Sequence, residues 1–480
     1  MDNKVTRIFS ILIFTLAIAI QTTTAQPLSI EWGKEQPYHK KGETKSIEII
    51  KYEKPYVFYL VSTSALSGAK EFIVKHNWNT GENIEFDIEV KHKLGERVNS
   101  SAEIVEGNLE IRSYIYALKR SHQTQVQKLI LDTANLEIKK DRETVEPDST
   151  NDRFEIPEFV LENYDPNFGK YKTDKSGNYY FGIRKFKNKK DKSKFRNSII
   201  SLAYYPIDTK TPVQLELKLP ENLYISYYKI ALNDKEEIIC TGVYSKKDLK
   251  SAYGCFSYVI APKLSKIISS NIKEFPTSLL SKGLDEKEAT EIAKKTAKNK
   301  EFDNEYFYKC SDIHFNKDGS FTMSVEKSRI EIITRNNLTT IHYYFDDIYV
   351  LSFKPDGTVK WMQKLVKNTH ATDADILASH YHLKYDDNDN VYFIFNQSQT
   401  KKPLYLSKES KTICIKYDIN GNEKYSEINT NGAEPKYLCP IFFEDAGPDS
   451  VIIVQHNYDV AIQRTGSSKN TIKFGILKLK

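Results

Sequence analysis

Tyr381-His382-Leu383-Lys384-Tyr385-Asp386-Asp387-Asn388-Asp389-Asn390-Val391-Tyr392-Phe393-Ile394-Phe395 reads as two short strands joined by one tight polar turn. Asn and Asp tolerate the positive φ angles of a hairpin turn, and flanking runs rich in Tyr, Phe, Val and Ile suit a pleated surface. Thr412 to Tyr417 and Glu423 to Ile428 follow, joined through Ile419-Asn420-Gly421-Asn422, so the stretch closes as a group of four strands. The same order precedes it: Tyr306 to Phe315, Ser320 to Thr334, Asp347 to Phe353 and Thr358 to Leu365, with turns at Lys317-Asp318-Gly319 and Pro355-Asp356-Gly357.

Outward from these two groups, the four-strand unit divides the chain with little left over. Earlier units run from about Ser46 to Val90, Ser101 to Lys139, Phe154 to Leu219 (turn Lys175-Ser176-Gly177-Asn178) and Tyr224 to Phe275. A seventh, from near Lys436, supplies only three strands: Leu438 to Phe443, Ser450 to Gln455 and Thr471 to Leu479. Its missing strand has a candidate at the far end of the chain, Leu28-Ser29-Ile30-Glu31-Trp32-Gly33-Lys34, which resembles Thr358-Val359-Lys360-Trp361 of the fifth unit. Helical periodicity is confined to Leu284 to Lys300, where Asp285 and Glu288 form a capping box ahead of a narrow apolar stripe; this reads as a surface insertion.

These repeated hairpins resemble the blades of secreted β-propellers with pyrroloquinoline-quinone-like or NHL-like repeats. The Gly-His and Trp-Asp dipeptides of WD repeats are missing. The resemblance implies an all-β chain: one β-propeller domain over residues 26–480, with seven four-stranded blades and both termini closing the last blade. It implies no particular activity.

Composition agrees with packed sheets. The 480 residues are 40% hydrophobic and 12% aromatic, with 19 Gly and 16 Pro. That excludes a polytopic membrane protein, a collagen-like chain and a largely disordered one. Lys and Arg number 70 against 64 Asp and Glu, a net +6, which is too balanced for a dedicated nucleic-acid binder. Length alone suggests about three domains; the repeat pattern replaces them with one ring.

Residues 1–25 carry Lys4 and Arg7, an apolar run from Ile8 to Ile20, and a small-polar end at Ala25, the layout of a cleavable signal peptide. The expectation is a secreted or periplasmic protein with no transmembrane segment in the mature chain. No Cys near the cut is available for lipidation. Cys240, Cys255, Cys310, Cys414 and Cys439 are too few, and odd in number, for a disulfide framework. A bond between Cys240 and Cys255 stays open, with buried thiols the alternative.

Strong catalytic signatures are missing: no Gly-rich phosphate loop, His-Glu-x-x-His, Cys-x-x-Cys or Gly-x-Ser-x-Gly. No catalytic residue is assigned and no cofactor is expected. His380 and His382 would share a face if both lie on one strand, and Asp373 or Asp375 would complete a metal site with them. Asp386 to Asn390 resembles a calcium loop, but Val391 stands where Gly is required and Gln397 where a bidentate Glu belongs, so it reads as a hairpin turn. Arg184 to Arg196 is the densest basic run and reads as a loop between strands, facing solvent or an anionic partner. Asp346-Asp347 and the doublets Tyr204-Tyr205, Tyr227-Tyr228 and Tyr343-Tyr344 suggest a sugar cleft only if the fold gathers them. The expected function is an exported, non-catalytic binding or scaffold protein for a protein or glycan; the alternative is a propeller-based carbohydrate-active hydrolase or lyase with its site at a channel mouth.

Overall fold

The computed structural model describes residues 28–37, 43–65, 68–90, 96–117, 123–145, 171–186, 198–246, 251–298, 300, 306–335, 338–372, 376–397, 411–429, 438–457 and 471–479. The expected signal peptide lies outside them, as does most of the basic run Arg184 to Arg196. Hydrogen bonding sorts the described strands into six antiparallel-rich sheets. Four are simple four-stranded meanders, spanning Glu43–Asp87 (unit one), Glu96–Val145 (unit two), Lys172–Leu217 (unit three) and Leu223–Glu274 (unit four). Unit five, Phe307–Leu365, adds the strand Thr369–Thr372 to its four-strand path. The largest sheet joins unit six, Tyr381–Asn429, to a last group made of Glu444–Gly447, Ser450–Asn457, Thr471–Lys478 and the chain's first strand, Leu28–Trp32.

That first strand is the join. Ile30, Glu31 and Trp32 pair antiparallel with Leu477, Ile476 and Gly475, so Leu28–Trp32 is the outer strand of unit seven. Leu28 and Ser29 pair parallel with Ile428 and Asn429 of unit six. An apolar core of Ile47, Tyr59 and Val74 (unit one), Tyr392 and Ile394 (unit six) and Ile452, Phe474 and Ile476 (unit seven) binds the chain's two ends together. Four other pairs of sequence neighbours share cores: units one and two through Leu60, Leu109 and Leu131; three and four through Leu202, Tyr228 and Tyr258; four and five through Val259, Met323 and Leu351; five and six through Val350, Phe393 and Ile415. The fold is a β-propeller. Sheets buried on both faces explain the near-continuous apolar runs, such as Val391–Phe395 and Val451–Val454, all almost fully buried.

The turns are fixed by side chains the sequence shows. The Asp174 carboxylate accepts from the backbone N–H groups of Ser176 and Asn178 and from Asn178 Nδ2 at 2.9–3.0 Å. Asp418 does the same with Asn420 and Asn422, and Asp386 with Asn388 and Asn390. Asp386 also accepts from the Tyr392 hydroxyl at 3.0 Å. Its carboxylate is thus committed to the turn, as the hairpin reading requires.

Turns of units five and six are also held by the preceding unit. In unit four, Ser269 Oγ and Asn271 Nδ2 donate to the Asp356 carbonyl of unit five. In unit five, Trp361 Nε1 donates to the Ile419 carbonyl at 2.9 Å and Gln363 Nε2 to the Gly421 carbonyl at 3.0 Å, both in unit six. Gly421 has φ +83°, and a Cβ there would lie 2.7 Å from the Trp361 ring, so close approach and backbone shape both demand glycine. We expect Trp361→Ala to cost about 2–3 kcal/mol, from lost packing and one lost hydrogen bond. Urea denaturation followed by tyrosine fluorescence measures it, and a loss below about 0.5 kcal/mol would contradict the latch.

Strand alternation places the first-to-second and third-to-fourth turns of every unit at one end. The other end receives connections that run from short ones, as between Ala65 and Gly68, to long ones that carry the helices Thr277–Ser281, Glu286–Ala297 and Ile376–Ser379. The helix Glu286–Ala297 belongs to that set and carries the capping box of Asp285 and Glu288. All five cysteines are free and buried. Cys240 lies opposite Tyr258 and Cys255 opposite Val243, and the two thiols enter different cores, which removes the cross-strand disulfide. Burial pushes the thiols of Cys255, Cys310 and Cys414 up to about 12, as suits inert packing groups.

Candidate functional site: the hairpin of unit five and its junction with unit six

The second and third strands of unit five, Phe321–Arg335 and Leu338–Phe353, are the longest in the chain among the described residues. They pair from Phe321 opposite Phe353 to Glu326 opposite Ile348, slip, and resume from Ser328 opposite Phe345 to Arg335 opposite Leu338. At the slip Lys327 faces both Asp346 and Asp347, a β-bulge that twists the distal half away from the sheet. The outer strand Val359–Leu365 stops at Ile348, and Thr369–Thr372 takes over its side of the hairpin. The hairpin therefore rises beyond the sheet at the end that collects the long connections. Alternating Ile, Thr and Tyr give it strand propensity without a second unit to lean on.

The bulge separates the paired carboxylates. Asp347 is buried, bonds Lys364 Nζ at 2.8 Å, and Lys364 also donates to the Leu280 carbonyl at 2.9 Å. Burial raises the Asp347 carboxyl above its ordinary range, against the pull of Lys364. Asp346 acts instead on Lys367. The Lys367 ammonium is fully buried; it bonds Glu326 at 2.8 Å, donates to the Ser379 carbonyl at 2.6 Å, and lies 5.0 Å from the Phe345 ring centroid. Burial lowers its proton affinity, and Glu326 opposes that.

His380 packs against Phe345 at 4.9 Å. Burial first, then the charges of Lys367 and Lys309, depress it to about 4. Tyr381 follows, its hydroxyl 3.1 Å from Ser324 Oγ, and burial raises it strongly. Lys309, on the inner strand Phe307–Cys310, is exposed and has no ion-pair partner among the described residues. The junction is thus a buried, internally neutralised charge pair beneath a neutral imidazole and one uncompensated ammonium.

The opposite face of the hairpin holds a second cluster. Arg329 stacks on Tyr344 at 3.9 Å, and the Tyr344 hydroxyl donates to Glu331 at 3.2 Å. His370 stacks on Tyr344 at 4.3 Å, and His370 Nε2 lies 2.9 Å from His342 Nδ1. The ring centroids are 5.2 Å apart, so the two nitrogens point at each other, the geometry of an N–H···N hydrogen bond rather than of two donors converging on an ion. His370 opens the histidine- and aspartate-rich stretch that runs on to His382, but its contact with His342 was not legible in the sequence. They lie 28 residues apart, and the added strand that joins them has no turn signal.

The expected metal group is not assembled by its histidines. His380 precedes the strand Tyr381–Tyr385 instead of lying on it, so it does not share a strand face with His382. His382 Nε2 meets Asp445 of unit seven at 3.2 Å, and Lys384 meets the same carboxylate at 3.1 Å. Asp373 and Asp375 lie outside the described residues. Among the described residues no group of three His, Cys, Asp or Glu is arranged to hold a metal ion. Of the aromatic doublets, Tyr204, Tyr205 and Tyr228 are core residues, while Tyr343 and Tyr344 are divided between the two faces of the hairpin.

No family model matches the chain, and no curated protein matches it. Solved structures do. The polysaccharide lyase Uly1 aligns over 95% of this chain and 98% of its own at 10% identity and TM-score 0.37. The WD40 domain of SCAP from fission yeast covers 91% of this chain and 82% of its own, at 8% identity and TM-score 0.30. An α-L-arabinanase from Penicillium chrysogenum covers 80% and 93%, at 11% and 0.29. Identities and scores this low assign no activity. Among the described residues no helix is long and apolar enough to cross a membrane.

Proposed function

We propose that the chain is an exported binding or scaffold protein, a single ring of seven blades, which recognises a protein or glycan at the end bearing the long connections. The observation that supports this reading best is the hairpin of unit five, which lifts Ile330 and Ile332, 55% and 66% exposed, clear of the sheet. Large apolar side chains held on a rigid, bulge-anchored hairpin mark a contact surface more often than a catalytic one. Long connections on the same side give that surface neighbours, while the opposite end is closed by short, self-satisfied turns.

The expected result is that Ile330→Asp with Ile332→Asp leaves stability unchanged, both sites being exposed, and weakens ligand capture at least tenfold in glycan-array and peptide-display screens of the full chain. Capture indifferent to both substitutions would overturn the site.

A second reading, a carbohydrate hydrolase or lyase, draws on one observation: Glu331, Arg329, Tyr344, His342 and His370 share the hairpin's other face. There the His342–His370 hydrogen bond would orient an imidazole for proton transfer. Turnover of a polysaccharide panel that falls at least a hundredfold in His342→Gln would establish it in place of the binding reading.

A further inference from the structure

The face of the hairpin that carries Ile330 and Ile332 is continuous with the junction below it. In the pairing of Phe307 with Ser328 and Lys309 with Glu326, side chains two residues apart share a side. Phe307, Lys309, Glu326, Ser328, Ile330 and Ile332 therefore form one face. Tyr343 lies opposite Ile330 and Ile341 opposite Ile332, which extends it across the third strand. Lower down, this side of unit five packs on unit six through Ile348, Val350 and Phe393. Above Glu326 the described strands of unit six end, and the same face continues as an apolar strip, with Phe307 51% exposed at its foot.

At the foot, Asp346 as well as Glu326 acts on Lys367, and Lys309 stands exposed beside that balanced cluster. Glu326 neutralises Lys367 at 2.8 Å, but Lys309 has no acidic partner among the described residues, and both lysines bear on His380. A neutral imidazole at that point offers a hydrogen bond without adding charge. We propose that this face docks an extended acidic peptide segment of a partner protein, with apolar side chains against Ile330 and Ile332 and a carboxylate seated at Lys309 and His380. The inference rests on the binding reading above and names its ligand. An extended segment fits because the most exposed apolar groups of the strip, Ile330 and Ile332, follow one strand at a spacing of two residues, the repeat of a strand. A carboxylate fits because Lys309, which forms no ion pair among the described residues, stands at the lower end of the face.

The test is a random 12-residue peptide display selection on the full chain, followed by titration of the best synthetic peptide by fluorescence anisotropy. Enriched peptides should carry two apolar residues at i and i+2 with Asp or Glu to one side. Lys309→Glu should weaken the best peptide at least tenfold, Lys309→Arg should leave it within about twofold, and Ile332→Asp should weaken it at least tenfold. Added salt should weaken the wild type more than Lys309→Glu. Both substituted positions are exposed, so circular dichroism should read the variants as folded. Peptides enriched without acidic residues, or bound equally by Lys309→Glu, overturn the inference and leave the binding reading standing. So does a glycan ligand lost in Ile332→Asp, or concentration-dependent self-association abolished by that substitution in sedimentation. Failure of the full chain to capture any peptide, any glycan or itself overturns the binding reading as well.

Discussion

Lys367→Met lowers stability by about 3–5 kcal/mol, because it leaves the Glu326 carboxylate buried without its counter-charge. Glu326 is buried between units five and six, and Lys367 Nζ at 2.8 Å is its ion partner. The Lys367 ammonium satisfies a second buried acceptor, the Ser379 carbonyl at 2.6 Å. The double variant Glu326→Leu with Lys367→Met removes both charges and restores most of the loss. A residue of about 1 kcal/mol remains, for the carbonyl left without a donor. Urea denaturation of the three proteins measures the cycle. A single variant as stable as the wild type, or a double variant no better than the single, would show that the pair is not what closes this junction. The prediction is large because neither charge reaches water. Surface pairs such as Lys411 with Glu427, each about half exposed, are screened by water and contribute little.

This junction also marks where the sequence ceased to be readable. Blades were legible because each is built from contacts close in sequence: Asp386 finds Asn390, Asp418 finds Asn422, and such turns announce the strands on either side. The closing strand was legible for a different reason, since Leu28–Trp32 repeats the pattern of another outer strand and the seventh unit lacked one. The third strand of unit five was read as starting at Asp347, yet it begins at Leu338. The bulge at Asp346 and Asp347 interrupts the alternation that marks a strand, so the distal half carried no continuous signal. With that half hidden, the approach of His342 to His370 and of Phe345 to His380 was hidden too. The metal reading set His380 and His382 on one strand, but the strand starts one residue after His380, and His382 meets Asp445 across a junction between units, while Asp373 and Asp375 lie outside the described residues. Spacing reports neighbours on an element; contacts between blades depend on where each element starts, which turn chemistry settles only to within a residue or two.

Acid should weaken the fold through His380, and the sign follows from where its proton goes. The imidazole is depressed from 6.5 to about 4 in the folded chain, first by burial and then by Lys367 and Lys309. Between those two values the unfolded chain binds a proton that the folded chain refuses, so stability falls as pH drops from about 6.5 towards 4 and levels off below. A depression of this size corresponds to roughly 3 kcal/mol over the whole window. His76 and His314 are also depressed, chiefly by burial, and act in the same direction, so the wild-type profile contains all three. Asp347, Glu48 and Glu444, raised chiefly by burial, act in the opposite sense because folding then favours their protonated forms. His380→Gln isolates one contribution: urea midpoints for it and the wild type, taken from pH 7.5 to 4.5, should converge as pH falls if the variant starts lower, or diverge if it does not. Parallel curves would mean that His380 takes up its proton equally well folded and unfolded. That result would contradict first the burial of His380 and then the bearing of Lys367 and Lys309 on it. The measurement therefore bears on ligand chemistry as well as on stability, through the same two lysines.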